Sequence, residues 1–95
     1  MFLQDLMDKY PVELKSYQGS SLGTSSTQII LGKRAKGMTI HNPHASYVLS
    51  YSFDDSLWFE IFPLGTKDVR QDFDRLYLKG SSSSSKYQVE TAELL

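Results

Sequence analysis

Residues 47–53, Tyr-Val-Leu-Ser-Tyr-Ser-Phe, are the stretch that decides the fold class. Large apolar side chains recur at every second position, and Ser50 and Ser52 lie between them. Because successive side chains of a β-strand point to opposite faces, this alternation predicts a strand with one buried face.

Further short β-like runs lie on both sides of this stretch, and their lengths suit strands better than helices. The predicted strands are 28–31, 37–41, 47–53, 57–62, 75–79 and 86–93. Turn residues separate them, namely Gly32, Asn42-Pro43, Asp54-Asp55, Pro63-Leu64-Gly65 and Gly80. We therefore predict an all-β fold, a small antiparallel β-sandwich or jelly-roll-like barrel, over residues 27–95.

The first 26 residues have a different character and are predicted to form an N-terminal arm. Apolar side chains recur at helical spacing from residue 2 to residue 10, and Pro11 limits this short helical or extended segment. Residues 16–27 are rich in Ser, Gly and Thr, which favours a flexible tether. So short a helix is stable only when its apolar face is packed, against either its own domain or a neighbouring subunit.

Composition excludes several classes of protein. A chain of 95 residues is long enough for one domain. The absence of Cys excludes disulfides, thiol catalysis and cysteinyl metal sites. A formal net charge of −1 argues against general binding to nucleic acid or to an acidic membrane. The sequence has no long apolar run and no signal-peptide pattern at its start, so we expect a soluble protein made in a cytosol.

The sequence contains few residues in patterns that are typical of catalytic or metal sites. His41 and His44 flank an Asn-Pro turn and are better explained as surface residues than as metal ligands. The acidic residues between 54 and 74 match no calcium-binding loop, and the Gly-x-Ser-x-Gly pattern of a nucleophilic serine is absent. We therefore predict no enzyme, no metal and no cofactor.

Two groups of residues are candidates for binding. Lys33, Arg34 and Lys36 form the basic cluster, which could contact a phosphate or an acidic partner. The aromatic excess between residues 47 and 62 suggests either a protein interface or a sugar-binding platform, with Tyr47, Tyr51 and Trp58 as its members. Packing of the protein's own core explains many of these aromatic residues equally well.

The order of these segments resembles a known family. The order includes Ile40-His41-Asn42 at a strand end, a Tyr-rich strand, Pro63-Leu64-Gly65, the Arg-Leu-Tyr-Leu strand at 75–78 and a closing acidic strand at 89–93. This pattern resembles the small β-sandwich virion proteins of tailed bacteriophages, which decorate or reinforce the capsid or build head–tail fittings. The resemblance covers about residues 27 to 95.

The resemblance implies a non-enzymatic structural protein located in the virion after synthesis in the host cytoplasm. It implies binding to a major capsid or connector protein and to copies of itself, in a trimer or a higher symmetric assembly, with no nucleic acid and no membrane as partner. Small capsid proteins often embrace neighbours with an arm, so the apolar residues of the first ten positions are candidates for docking on a neighbouring subunit. They are Phe2, Leu3, Leu6, Met7 and Tyr10. The alternative is a carbohydrate- or ligand-binding adhesion module that uses exposed aromatic residues.

Overall fold

The structure is a computed structural model that describes residues 2–95. It contains one helix, α1 (Phe2–Lys9), and eight strands. The strands are β1 (Val12–Leu22), β2 (Thr27–Ile29), β3 (Ala35–His41), β4 (Leu49–Ser52), β5 (Phe59–Ile61), β6 (Thr66–Val69), β7 (Leu76–Gly80) and β8 (Ser85–Leu94). Within residues 2–95, no helix has the length and apolar character needed to cross a membrane.

The strands form two four-stranded sheets that confirm the predicted small all-β sandwich. The first sheet has the order β1-β8-β3-β6 and the second has the order β2-β7-β4-β5. All pairings are antiparallel. Inward-facing apolar side chains of both sheets form one core, in which Ile40 and Val89 of the first sheet meet Leu49, Leu76 and Leu78 of the second. The alternation in residues 47–53 has the predicted cause, because Leu49 and Tyr51 face this core.

Six of the eight strands lie where the sequence predicts them, and two were missed. Strand β6 is a polar edge strand whose side chains show no apolar alternation. Strand β1 corrects the prediction of a flexible tether over residues 16–27, since residues 16–22 belong to it. Its backbone is held by pairing with β8, from Val12 opposite Leu94 to Gln18 opposite Gln88.

Helix α1 confirms the predicted helical segment, and it packs on its own chain. Leu3 and Leu6 are buried in a second apolar cluster with Val12 and Ala92, on the outer face of the first sheet. Gly37 permits this close approach, because a Cβ atom there would lie 2.6 Å from the Leu6 side chain. Helix α1 therefore covers the first sheet, and β1 is one of its strands. Residues 2–22 do not form an arm separate from residues 27–95.

Antiparallel pairing places the connections between strands at two ends of the molecule. Residues 23–26, 42–48, 62–65 and 81–84 form one end, where backbone bonds join Gly80 N–H to the Gly23 carbonyl (2.8 Å) and Asn42 N–H to the Gly65 carbonyl (2.9 Å). The connections 30–34, 53–58 and 70–75 form the opposite end.

Candidate functional site

The end formed by residues 23–26, 42–48, 62–65 and 81–84 contains no Asp, Glu, Lys or Arg, and we refer to it as the uncharged end. These four residue types make up 22% of the chain. The connections of the opposite end carry many of them, including Lys33, Arg34, Asp54, Asp72 and Asp74. Charged residues are depleted at the cores of protein interfaces, so the segregation marks the uncharged end as a candidate docking surface.

Two large apolar side chains project from the uncharged end. Phe62 is 68% exposed and Leu64 is 62% exposed. They belong to a tight turn in which Gly65 N–H donates to the Phe62 carbonyl at 2.9 Å. Leu64 occupies the third position of this turn with a φ of 63°. That left-handed conformation favours Gly or Asn, and a bulky residue there stores about 1–3 kcal/mol of strain. The turn thus keeps an apolar side chain on the surface at a cost in stability.

Asn42 holds the loops of the uncharged end together. Its side chain is almost fully buried, and its Nδ2 donates to the carbonyls of Tyr47 (2.7 Å) and Ile61 (3.0 Å). Its Oδ1 accepts from His44 N–H at 3.1 Å, and Leu64 N–H donates to the His44 carbonyl at 3.1 Å. The connection 42–48 is thereby fixed to the turn that presents Phe62 and Leu64.

The serine-rich connection between β7 and β8 is also tied to this end. Val48 and Ser81 exchange two hydrogen bonds, since Ser81 N–H donates to the Val48 carbonyl (3.0 Å) and Val48 N–H donates to Ser81 Oγ (2.9 Å). The hydroxyl of the buried Ser85 donates to the Ser82 carbonyl at 2.8 Å. Side-chain bonds from serine therefore order a segment that the sequence presents as a polar tract.

The predicted aromatic group is dispersed in the structure. Tyr51 is 2% exposed and belongs to the core, where it stacks on Phe59, so its assignment to an exposed platform is wrong. Tyr47 lies at the uncharged end and stacks on His44, with ring centroids 4.2 Å apart. Trp58 lies near the opposite end of the molecule, with Lys79 Nζ 4.1 Å from the centroid of its ring. These three residues do not share one surface.

The basic cluster lies at the opposite end and is largely paired with acidic side chains. Arg34 lies 3.8 Å from Asp74, and Lys36 lies 3.2 Å from Asp72. The backbone N–H of Lys33 donates to Glu93 at 2.9 Å. Because the connection 70–75 neutralises two of the three cations, this cluster does not form an isolated anion-binding patch.

Glu93 is a buried carboxylate that sequence reasoning missed. Its Oε2 accepts from the hydroxyls of Tyr17 and Thr91, each at 2.6 Å, and its Oε1 accepts the Lys33 N–H. Burial acts to raise the pKa of Glu93, but these hydrogen bonds and one from Gly32 outweigh it and leave the pKa below its ordinary value. Burial and the neighbouring carboxylate raise the pKa of Tyr17. Glu93 thereby anchors the connection 30–34 to the sandwich.

The two histidines have separate partners. His41 Nδ1 lies 2.7 Å from the Thr66 hydroxyl, and His44 Nδ1 accepts from Ser46 N–H at 3.0 Å. Across residues 2–95, no three His, Asp or Glu side chains are grouped so that they could hold a metal ion.

The predicted arm residues lie around α1. Leu3 and Leu6 are buried, Phe2 and Tyr10 are partly buried beside them, and Met7 is 40% exposed. Lys36 Nζ lies 4.9 Å from the centroid of the Tyr10 ring. Four of the five apolar side chains are thus occupied by contacts within their own chain.

This chain is similar to known proteins in its backbone but not in its sequence. No known family matches the sequence, and no curated protein matches it. Among solved structures, the backbone is similar to that of the capsular polysaccharide assembling protein CapF from Staphylococcus aureus, with a TM-score of 0.44 and 8% sequence identity. The similarity covers 90% of this chain and 25% of that protein, so this chain spans about a quarter of it.

Proposed function

We propose that this protein is a non-enzymatic structural protein of a phage virion that binds a capsid or connector subunit through its uncharged end. One observation carries the proposal. Phe62 and Leu64 are exposed in connections that contain no Asp, Glu, Lys or Arg and that are joined by hydrogen bonds. Exposed apolar groups on a preorganised surface are typical of protein interfaces.

The rigidity of the uncharged end supports docking on a protein surface. Asn42 and Ser81 fix the backbone around the exposed side chains, so little conformational entropy is lost on binding. Two apolar anchors give a small interface with modest affinity. Many copies acting on one symmetric particle add avidity, which suits a protein that decorates or reinforces a shell.

In this proposal the docking residues differ from those of the predicted arm. Leu3 and Leu6 already stabilise their own sandwich, so contact with another subunit through them would require α1 to detach. The uncharged end needs no such rearrangement. The carbohydrate alternative has less support, because Tyr51 is buried and Tyr47 and Trp58 lie toward opposite ends of the molecule.

The test is incorporation into particles made from the phage genome that encodes this chain. The docking variant is Phe62→Ser with Leu64→Gly, in which Gly suits the left-handed turn position and preserves its geometry. The control variant is Ile30→Ser with Leu57→Ser, which removes two exposed apolar side chains at the opposite end.

We expect purified particles to contain the wild-type protein and the control variant, measured by mass spectrometry, and to lack the docking variant. Circular dichroism and urea unfolding of the isolated proteins check that both variants fold. Incorporation of the docking variant at the wild-type level would contradict the proposed docking surface. Absence of the wild-type protein from the particles would contradict the virion assignment itself.

A further inference from the structure

We propose that two copies of this chain associate by antiparallel pairing of their β1 strands about a twofold axis that passes through Leu14. Strand β1 lies at the edge of the first sheet and has 11 residues, whereas β6 at the other edge has four. Natural sheets usually shorten or block such edges, because an unpaired strand is a template for another chain. A long free edge is therefore a candidate pairing surface.

The hydrogen-bonding phase of β1 shows which residues face the open side. Leu95 N–H donates to the Pro11 carbonyl at 3.0 Å, and this contact continues the pairing of β1 with β8. Hydrogen-bonded and non-hydrogen-bonded pairs alternate along an antiparallel ladder. The backbone groups of residues 13, 15 and 17 therefore bond to β8, while those of Val12, Leu14 and Ser16 point to the open edge.

Charge selects one register among those that the twofold axis allows. An axis at Glu13 would oppose two glutamates, and an axis at Lys15 would oppose two lysines, both of which are destabilising. With the axis at Leu14, Glu13 faces the partner's Lys15 and Lys15 faces the partner's Glu13. Within one chain, Lys15 Nζ already lies 3.5 Å from Glu13 Oε1, and both side chains are about half exposed, at 48% and 50%. In this register the ion pairs of the two chains lie side by side with opposite charges adjacent.

The same register also matches the backbone and the apolar side chains. Leu14 faces its own counterpart, and Val12 faces the partner's Ser16. The Leu14 pair can exchange two hydrogen bonds, because its backbone groups point to the open edge. Val12 N–H already donates to the Tyr10 carbonyl at 2.9 Å, so each Val12–Ser16 pair has one hydrogen bond, from Ser16 N–H to the Val12 carbonyl of the other chain. The bulge between Gly19 and Leu22 bends the strand beyond this region and confines pairing to its first half.

The interface is small, so we expect a weak dimer that forms at high concentration. A stable pair of proteins usually buries on the order of 1,200 Å² or more, which a short strand contact does not reach. High local concentration in an array of copies would favour it. This association uses β1 and not the uncharged end, so its test is independent of the test of the proposed docking function.

Charge exchange tests the register. The single variants Glu13→Lys and Lys15→Glu each place like charges opposite one another and should abolish the dimer in sedimentation velocity runs over a range of concentrations. The double variant Glu13→Lys with Lys15→Glu restores opposite charges and should dimerise like the wild type. An equimolar mixture of the two single variants should form a heterodimer, because the lysines of one chain then face the glutamates of the other.

Proline substitution tests the edge independently of charge. Ser16→Pro removes an N–H that faces the open edge and leaves the bonds to β8 intact, so we expect a folded monomer. Gln18→Pro is the matched control, since residue 18 also faces the open edge but lies outside the proposed pairing. It should leave the dimer in place. A monomeric wild type, a dimer unaffected by Ser16→Pro, or single charge variants that dimerise normally would each overturn the proposal.

Discussion

At the scale of single residues, two side chains occupy positions that sequence rules disfavour. Leu64 takes a left-handed backbone conformation, and Glu93 places a carboxylate in the interior. Local strain and buried charge persist only where surrounding contacts hold them. For Leu64 these contacts keep an apolar side chain on the surface of the uncharged end. For Glu93 they attach the connection 30–34 to the sandwich.

Glu93 could in part have been anticipated from the sequence. Residues 87, 89 and 91 alternate with polar neighbours and predict a buried face, and residue 93 continues the same face. What the sequence does not contain is the identity of the donors, because Tyr17 lies 76 residues away along the chain. Asn42 is similar, since its position at a strand end is visible while its contact with the Ile61 carbonyl depends on the fold.

Glu93→Gln should lower the free energy of unfolding at neutral pH by about 1.5–3 kcal/mol, because an amide cannot accept all the hydrogen bonds that the carboxylate accepts. The pKa of Glu93 is lowered in the folded state, so its contribution is complete above the ordinary pKa of 4.5 and is lost as the pH falls through the folded-state value. The difference in free energy of unfolding between the wild type and Glu93→Gln should therefore become smaller as the pH falls.

Urea unfolding at a series of pH values from neutral to acidic measures this difference. Glu90→Gln is the control, since Glu90 lies on the same strand with its side chain exposed on the outer face. It should change stability little at any pH in the series. A gap between wild type and Glu93→Gln that stays constant with pH would show that the charge of Glu93 does not stabilise the fold.

At the scale of elements, the strands with a short apolar run or apolar alternation were predicted correctly, and the serine-rich strand β1 and the polar strand β6 were missed. The sequence of β1 predicts a tether because Ser and Gly are frequent in it. The structure differs because β-propensity depends strongly on context. Its pairing with β8 is a long-range contact that no local pattern contains. Helix α1 was predicted from its periodicity, while its packing on the same chain depends on the open surface above Gly37.

Deleting residues 2–10 should destabilise the sandwich, contrary to the behaviour of a detachable arm. Burial of Leu3 and Leu6 contributes about 1.5–3 kcal/mol each, and their removal exposes Val12 and Ala92 to water. We expect a lower urea midpoint and a greater tendency to aggregate. Gly37→Val, which places a side chain beneath α1, should shift the midpoint in the same direction.

Gln4→Ala with Asp8→Ala is the control for this prediction, because these residues lie on the exposed face of α1 and, among residues 2–95, their side chains bond only to each other, at 3.0 Å. Its urea midpoint should stay close to that of the wild type. If the deletion variant unfolded at the wild-type midpoint, α1 would be a separable appendage, and docking in a neighbouring subunit would regain its support.

At the scale of the whole molecule, the connections at the two ends of the sandwich differ in their content of charged residues. The uncharged end offers apolar side chains without charge, while the free edge of β1 offers a paired Glu13 and Lys15. The two proposed contacts therefore rest on different forces. One depends on burial of apolar surface, which salt does not weaken, and the other depends in part on exposed ion pairs, which salt screens.

Salt should separate the two contacts in one set of measurements. Raising sodium chloride from about 0.1 M to about 1 M shortens the screening length from about 10 Å to about 3 Å. We expect the dimer of the isolated protein to weaken over this range, as measured by sedimentation, while retention of the protein on purified particles is unchanged. The double charge-exchanged variant should show the same salt dependence as the wild type, because its ion pairs are preserved. Loss of the protein from particles in high salt, with a dimer that persists, would reverse the assignment of forces and place the electrostatic contact at the shell.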